Sequence, residues 1–266
     1  MNDSPIGVFD SGVGGLTVVK EILQQLPNET IVYFGDTARV PYGNKSKETI
    51  IEYSRQIVDF LLNHGVKAIV VACNTASAFA LETIKDEISV PIIGVVRPGA
   101  YMAANATRNN RIGIIGTEGT VNSGLYSDLL SEYNPDIKVF SKACPLFVPL
   151  VEEGMINDTV TDEMIRRYTK ELTSKDIDTL VLGCTHYPLL INAIGNILGD
   201  TITLVNPAYE TAKTLKKELT ELDLLSTHSS SEHAFFVSDR ADKFKDFACT
   251  ILPSEQRYFF RKAQVN

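Results

Sequence analysis

Two cysteines close two apolar runs in two halves of the chain, Ala68-Ile69-Val70-Val71-Ala72-Cys73-Asn74-Thr75 and Thr179-Leu180-Val181-Leu182-Gly183-Cys184-Thr185-His186. Each run reads as a buried strand of a parallel sheet, and the polar residues after it open a helix. Ligands of open α/β sheets bind outside the carboxyl ends of such strands. Two thiols delivered there from two half-sequences approach one substrate from opposite sides. An acid and a base on opposite faces of one carbon perform stereoinversion. The competing reading is that each thiol is a small buried hydrophobe, the usual state of a free cysteine. Against it, both cysteines head a strand-to-helix turn, where a helix N-terminus lowers a thiol pKa. Both also have hydrogen-bonding neighbours, Asn74-Thr75 and Thr185-His186. His186 is close enough to Cys184 for proton transfer, or it is a satisfied structural histidine. Cys144 and Cys249 lack such surroundings and read as structural.

A third candidate is the turn Asp10-Ser11-Gly12-Val13-Gly14-Gly15. Glycines allow close backbone approach, and a following helix N-terminus favours an anion such as a substrate carboxylate. The blander alternative is a tight turn in which glycine serves geometry alone. The segment lacks the Gly-Lys-Ser/Thr of a phosphate loop and the spacing of a dinucleotide fingerprint. Asp10 ends an otherwise apolar strand, where a carboxylate is costly to bury without a partner, so it is expected at the mouth of a site.

The elements that must position these residues alternate between strand-like and helical patterns, the signature of βαβ units and a parallel sheet. Ile6 to Asp10 is a first strand, followed by a helix with Leu16, Val19, Ile22, Leu23 and Leu26 on one face. Thr30 to Gly35 is a second strand. Ser46 caps a helix that runs to a Gly65 stop, and Pro91 to Val95 is a fourth strand after the Cys73 strand. Pro98-Gly99 marks a break where a second unit begins. That unit repeats the first, because Arg111 to Thr117 resembles Pro5 to Ser11. Cys73 lies 67 residues after Ile6, and Cys184 lies 72 after Ile112, which points to an internal duplication. Leu222 to Ser231 reads as a solvated loop, and Phe235 to Val237 and Tyr258 to Phe260 as edge strands returning to the first unit.

With 266 residues, of which 44% are hydrophobic, the chain can bury one large core or two small ones. A net charge of -8 argues against a nucleic-acid surface, which needs Lys and Arg to neutralise phosphates. No apolar run approaches the roughly 20 residues of a membrane span and no leader is evident, so a soluble cytoplasmic protein is expected. Four cysteines without Cys-x-x-Cys spacing fit neither a disulfide scaffold nor a zinc site. No lysine stands in a context that singles it out for pyridoxal phosphate.

The stretches Gly7 to Thr17, Val40-Pro41-Tyr42-Gly43, Ala72-Cys73-Asn74-Thr75-Ala76 and Leu182 to Leu190 together resemble glutamate racemase, in matching order as far as Tyr209. The resemblance implies an α/β fold of two pseudo-symmetric parallel-sheet domains with helices on both faces and the site in the cleft between them. The expected division is residues 1–96 plus 208–266 against 97–207. It further implies cofactor-independent interconversion of L- and D-glutamate for peptidoglycan, in a homodimer, with Cys73 and Cys184 as paired acid and base. Asp10, Glu152 and His186 match positions that assist proton transfer, and Ser11, Tyr42, Gly43, Asn74, Thr75 and Thr185 match positions that contact substrate. Asp10 and His186 belong to both groups, and Thr117 joins the candidate donors. Arg97 departs from the family pattern, where Glu or an uncharged residue is expected, which bears on domain contacts or assembly. The alternatives are a racemase of aspartate or another amino acid, and a non-catalytic binding protein on the same fold.

Overall fold

The thiol-bearing strands are apolar throughout because both faces of their sheets are covered. In the computed structural model, which describes residues 2–227 and 232–265, the strands form two all-parallel sheets. In chain order, β1 (Ile6–Asp10), β2 (Ile31–Gly35), β3 (Ala68–Val71) and β4 (Ile92–Gly94) belong to the first sheet. β5 (Arg111–Gly116), β6 (Lys138–Ala143), β7 (Thr179–Gly183) and β8 (Thr203–Val205) form the second. β9 (Glu232–Val237) and β10 (Arg257–Lys262) return to the first.

The strand orders are β10-β9-β2-β1-β3-β4 and β6-β5-β7-β8. The run β2-β1-β3-β4 thus has the same order as β6-β5-β7-β8, so the repeat extends from one short motif to a whole four-strand unit. β1 is flanked by both neighbours, with Val8 beside Tyr33 and Val70, and β5 likewise, with Ile114 beside Ser141 and Val181. Successive strand residues face opposite ways, so Val8 and Val70 enter one apolar cluster while Phe9 and Val71 enter the cluster on the other face. The second sheet has the same two-sided arrangement, with Ile115 and Leu182 on one face and Ile114 and Val181 on the other.

Local rules set the helices. Ser46 Oγ accepts from Thr49 N, opening the helix Lys47–Asn63, and Gly65 at φ +70° follows its end. Helix Leu16–Gln25 buries Leu16, Val19, Ile22 and Leu23 against the first sheet, as its spacing predicts. Asn206 Oδ1 accepts from Ala208 N at the start of helix Pro207–Glu221. No helix among the described residues is long and apolar enough to cross a membrane.

Several expectations are corrected. Pro98-Gly99 is no break, since both lie in the first turn of helix Val96–Ala106, where proline's missing N–H has no helical partner to lose. The fourth strand is only Ile92–Gly94, because that helix begins at Val96. Of the two returning strands only β10 is an edge; β9 lies between β2 and β10. The expected solvated loop is partly anchored. Leu224 and Leu225 pack on the first core, and Ser226 bonds Glu29 and Lys67, a buried ion pair at 2.6 Å. Residues 228–231 of that loop lie outside the described residues.

Candidate functional site

The carboxyl ends of β1, β3, β5 and β7 open on one cavity of about 490 Å³. Ser11, Tyr42, Gly43, Cys73, Asn74 and Thr75 line it from the first sheet's side; Thr117, Glu152, Cys184, Thr185 and His186 line it from the second. Apart from Asp10, every residue expected at the site is therefore on its wall. Among the described lining residues there is no lysine or arginine, so the polar groups on the wall are hydroxyls, the Asn44 and Asn74 amides, His186 and the carboxylates of Glu118 and Glu152.

Cys73 is 5% exposed and caps the helix Asn74–Phe79, with Ala76 N donating to its sulfur at 3.5 Å. Its thiol also lies 3.9 Å from Ser11 Oγ. The expected lowering of its pKa does not occur. Burial, with the nearby Asp10 carboxylate, outweighs the Ala76 N–H and pushes the thiol up to about 12. Cys184 has no regular α-helix directly behind it. A short 3₁₀ turn, Tyr187–Leu190, precedes the helix Ile191–Leu198.

Cys184 Sγ lies 3.9 Å from His186 Nδ1, and the opposite ring nitrogen, Nε2, lies 3.1 Å from Glu152 Oε1. Burial works to lower the imidazole's pKa. The bonds to Cys184 and Glu152, with the negative charge of Cys184 and Asp10, overcome burial and raise it to about 10. Glu152 in turn is held below the usual carboxylate range by its bond to His186. The histidine ring is thus engaged at both nitrogens.

Asp10 is fully buried behind the cavity, not at its mouth. The sequence gives no sign of its partners because they are backbone groups. Gly12 N and Gly15 N donate to Oδ2 at 3.1 and 3.0 Å. The anion favoured at this glycine turn is therefore the protein's own carboxylate. Thr185 Oγ1, from the other half, donates to Oδ1 at 3.3 Å. Burial raises the Asp10 pKa, while His186 and these donors oppose it. The glycines serve close approach. A Cβ on Gly14 would fall 2.5 Å from His186 Nδ1, and one on Gly15 2.6 Å from Tyr33 Oη.

Across the cleft, Thr75 Oγ1 and Thr117 Oγ1 are 2.8 Å apart, and Thr120 Oγ1 completes a three-hydroxyl cluster at 3.0 and 3.2 Å from them. Thr120 escaped the sequence reading, although Thr117-x-x-Thr120 is the spacing of a helix cap. Gly43 lets its loop press on Thr117, where a Cβ would come within 2.6 Å of the Thr117 Cβ. Tyr42 has its ring on the cavity wall while its hydroxyl donates to Asp36. Of the two cysteines set aside, Cys144 is buried and Cys249 exposed. Arg97 is exposed and lies 3.4 Å from Glu132.

The chain and its fold are shared with known proteins. The family model for Asp/Glu/Hydantoin racemase matches residues 6–215. A glutamate racemase of Geobacter metallireducens is 52% identical over 235 residues, 88% of this chain and 87% of that protein. The crystal structure of glutamate racemase isoform RacE1 from Bacillus anthracis superposes with a TM-score of 0.95 at 40% identity, covering 100% of both chains. That of the Francisella tularensis glutamate racemase in complex with D-glutamate superposes at 0.91 with 38% identity, covering 100% of this chain and 98% of that one. With two repeated sheets facing one cavity and kinship that spans nearly the whole chain, this protein belongs to the Asp/Glu/Hydantoin racemase family, among relatives that are glutamate racemases.

Proposed function

We propose that this chain interconverts L- and D-glutamate by two-base proton transfer, without a cofactor, through Cys73 and Cys184. The observation that carries the reading is that two buried cysteines, one from each sheet, line the same cavity beside unlike charges. The α-hydrogen of an amino acid is a very weak acid. Its removal needs a base on one face, a proton donor on the other, and aimed donors for the charge that develops.

Burial and the nearby Asp10 carboxylate keep the proton on Cys73, whereas Cys184 has the His186 ring nitrogen 3.9 Å from its sulfur. In one direction the thiolate at Cys184 takes the α-proton and the Cys73 thiol delivers its own to the opposite face. The roles exchange in reverse. Ser11, Asn74, Thr75, Thr117 and Thr185 meet the substrate's carboxylates, and Tyr42 and Gly43 shape the wall. Asp10 and the His186–Glu152 pair assist the two proton transfers.

The division at 1–96 plus 208–266 and 97–207 fits the packing. Val96, Ala100 and Ala103 enter the second core, and Ala208, Ala212, Leu215 and Leu219 return to the first. The resemblance to the family extends the proposal to a cytoplasmic homodimer whose D-glutamate supplies peptidoglycan.

The test is exchange of the glutamate α-proton in heavy water with no cofactor added. Deuterium appearing at Cα together with the opposite enantiomer is the expected result. Absence of both would overturn the proposal, and exchange with aspartate in place of glutamate would move it to a sister activity.

A further inference from the structure

Tyr126 lies on helix Leu125–Tyr133 of the second unit, outside every motif that points to the site, and is 3% exposed. Its hydroxyl reaches the first unit and donates to Asn74 Oδ1 at 2.8 Å. The path is open because of two glycines. A Cβ on Gly99 would come within 3.1 Å of Tyr126 Oη, and one on Gly183 within 3.3 Å of its Cε2. Gly183 precedes Cys184 and Asn74 follows Cys73. One phenol therefore touches both cysteine-bearing turns from behind the cavity that Asn74 lines.

A buried phenol must pass its hydrogen to an acceptor, and Asn74 Oδ1 is the acceptor in reach. Burial also drives the Tyr126 pKa upward, so it remains a donor. An amide whose carbonyl end is so engaged has one orientation left. Its Nδ2 hydrogens are the free end, and they are the end that a substrate carboxylate needs.

Resting on the glutamate reading above, we propose that Tyr126 is a positioning residue. By binding Asn74 Oδ1 across the domain boundary, it turns the Asn74 amide donor toward the substrate carboxylate. Loss of the hydroxyl should weaken substrate binding through Asn74 and through nothing else.

A double-mutant cycle tests this with Tyr126→Phe, Asn74→Ala and the pair. Tyr126→Phe keeps the ring in its slot and should raise KM for both enantiomers roughly tenfold, the worth of one hydrogen bond to a charged group, with kcat changed less. In the Asn74→Ala background the same change should leave kcat/KM within about twofold, because the partner is already gone. Wild-type KM in Tyr126→Phe, or losses that multiply in the pair, would overturn the inference. If Tyr126→Phe alone folds poorly, the pair removes both buried partners together and remains usable against Asn74→Ala. Equality supports the proposal, and a further loss overturns it. A wild-type chain inactive on glutamate would fail the function reading, and this inference with it; active wild type with multiplicative losses fails this inference alone.

Discussion

The two thiol turns occupy equivalent places in equivalent strand orders, yet their surroundings are opposite in charge. Cys73 caps a regular helix with a buried carboxylate, Asp10, nearby; Cys184 precedes a 3₁₀ turn and lies beside an imidazolium held by Glu152. Topology thus delivers two chemically identical groups to two faces of one cavity. The side chains next to them make the faces unequal at rest. A single reaction needs both properties, since inversion calls for one proton held and one proton wanted. Asp10 and Thr185 join the two surroundings, because Thr185, next to Cys184, donates to the carboxylate that faces Cys73.

The hardest test of this contrast is removal of either thiol. Cys73→Ala and Cys184→Ala should each reduce racemisation by about 10³-fold or more, since neither face can then complete the transfer. The fold should survive, because a small side chain lost at a cavity wall leaves little unfilled space, and melting temperatures should move by only a few degrees. Polarimetry of both enantiomers alongside thermal unfolding reads both effects. Full activity in either variant would end the two-base account.

Next in size is Gly14→Ala, aimed at the Cys184 side. Its new methyl would press on Thr185 Oγ1 and His186 Nδ1, so the imidazole must leave its place between Cys184 and Glu152. A displacement near 1 Å costs about 10²-fold in rate. Gly12→Ala is the matched control, since its Cβ meets only Val40 Cγ1 at 3.1 Å. Equal kinetics of the two variants would mean that His186 need not be held in place.

These glycines show how far the chain could be read from its residues. The thiol positions were legible because an apolar run followed by small polar residues is a local pattern, and so were Ser46 and Gly65, whose effects span three or four residues. Asp10 was visible as an odd acid on an apolar strand. Its burial was not, because its partners are amides that converge only once the turn forms. Pro98-Gly99 misled for the reverse reason, since the first helical turn tolerates proline. Tyr126 gave no signal, its target lying 52 residues away in the other unit. Glu152 was reached only through family resemblance. On local patterning it is one acid among 33 acidic residues, and only its bond to His186 distinguishes it.

Asp10→Asn and His186→Asn sharpen the contrast further, each with an expected loss of about ten- to a hundredfold. Removing the carboxylate takes away a charge that raises the Cys73 thiol, whereas removing the imidazole takes away the cation beside Cys184. With an equilibrium constant of one, the two directions must keep equal kcat/KM. The difference must therefore appear in how kcat and KM divide for each enantiomer, or in solvent-isotope exchange. Profiles altered in the same form by both variants would make Asp10 and His186 common supports of the site.

The smallest expected effect is on stability, and it isolates the Cys184 side. His186 titrates near 10 in the folded protein, against about 6.5 when unfolded. Between those values the folded state keeps a proton that the unfolded chain has released. The stability from this group is fully present below about pH 6.5 and declines as pH rises through 10, by at most about 1.4 kcal/mol per pH unit. Glu152→Gln removes the carboxylate that accepts from Nε2, so the variant's imidazole must release its proton at lower pH. Wild type should therefore hold its full advantage in melting temperature over Glu152→Gln at pH 6, the low end of the range, and that advantage should shrink toward pH 10. The Glu152 carboxyl itself does not disturb the comparison, because its pKa is lowered and its own titration lies in acid. Thermal unfolding at unit steps from pH 6 to 10 gives the two curves. If they run parallel, Glu152 does not hold the proton on His186, and the inequality of the two thiols rests on Asp10.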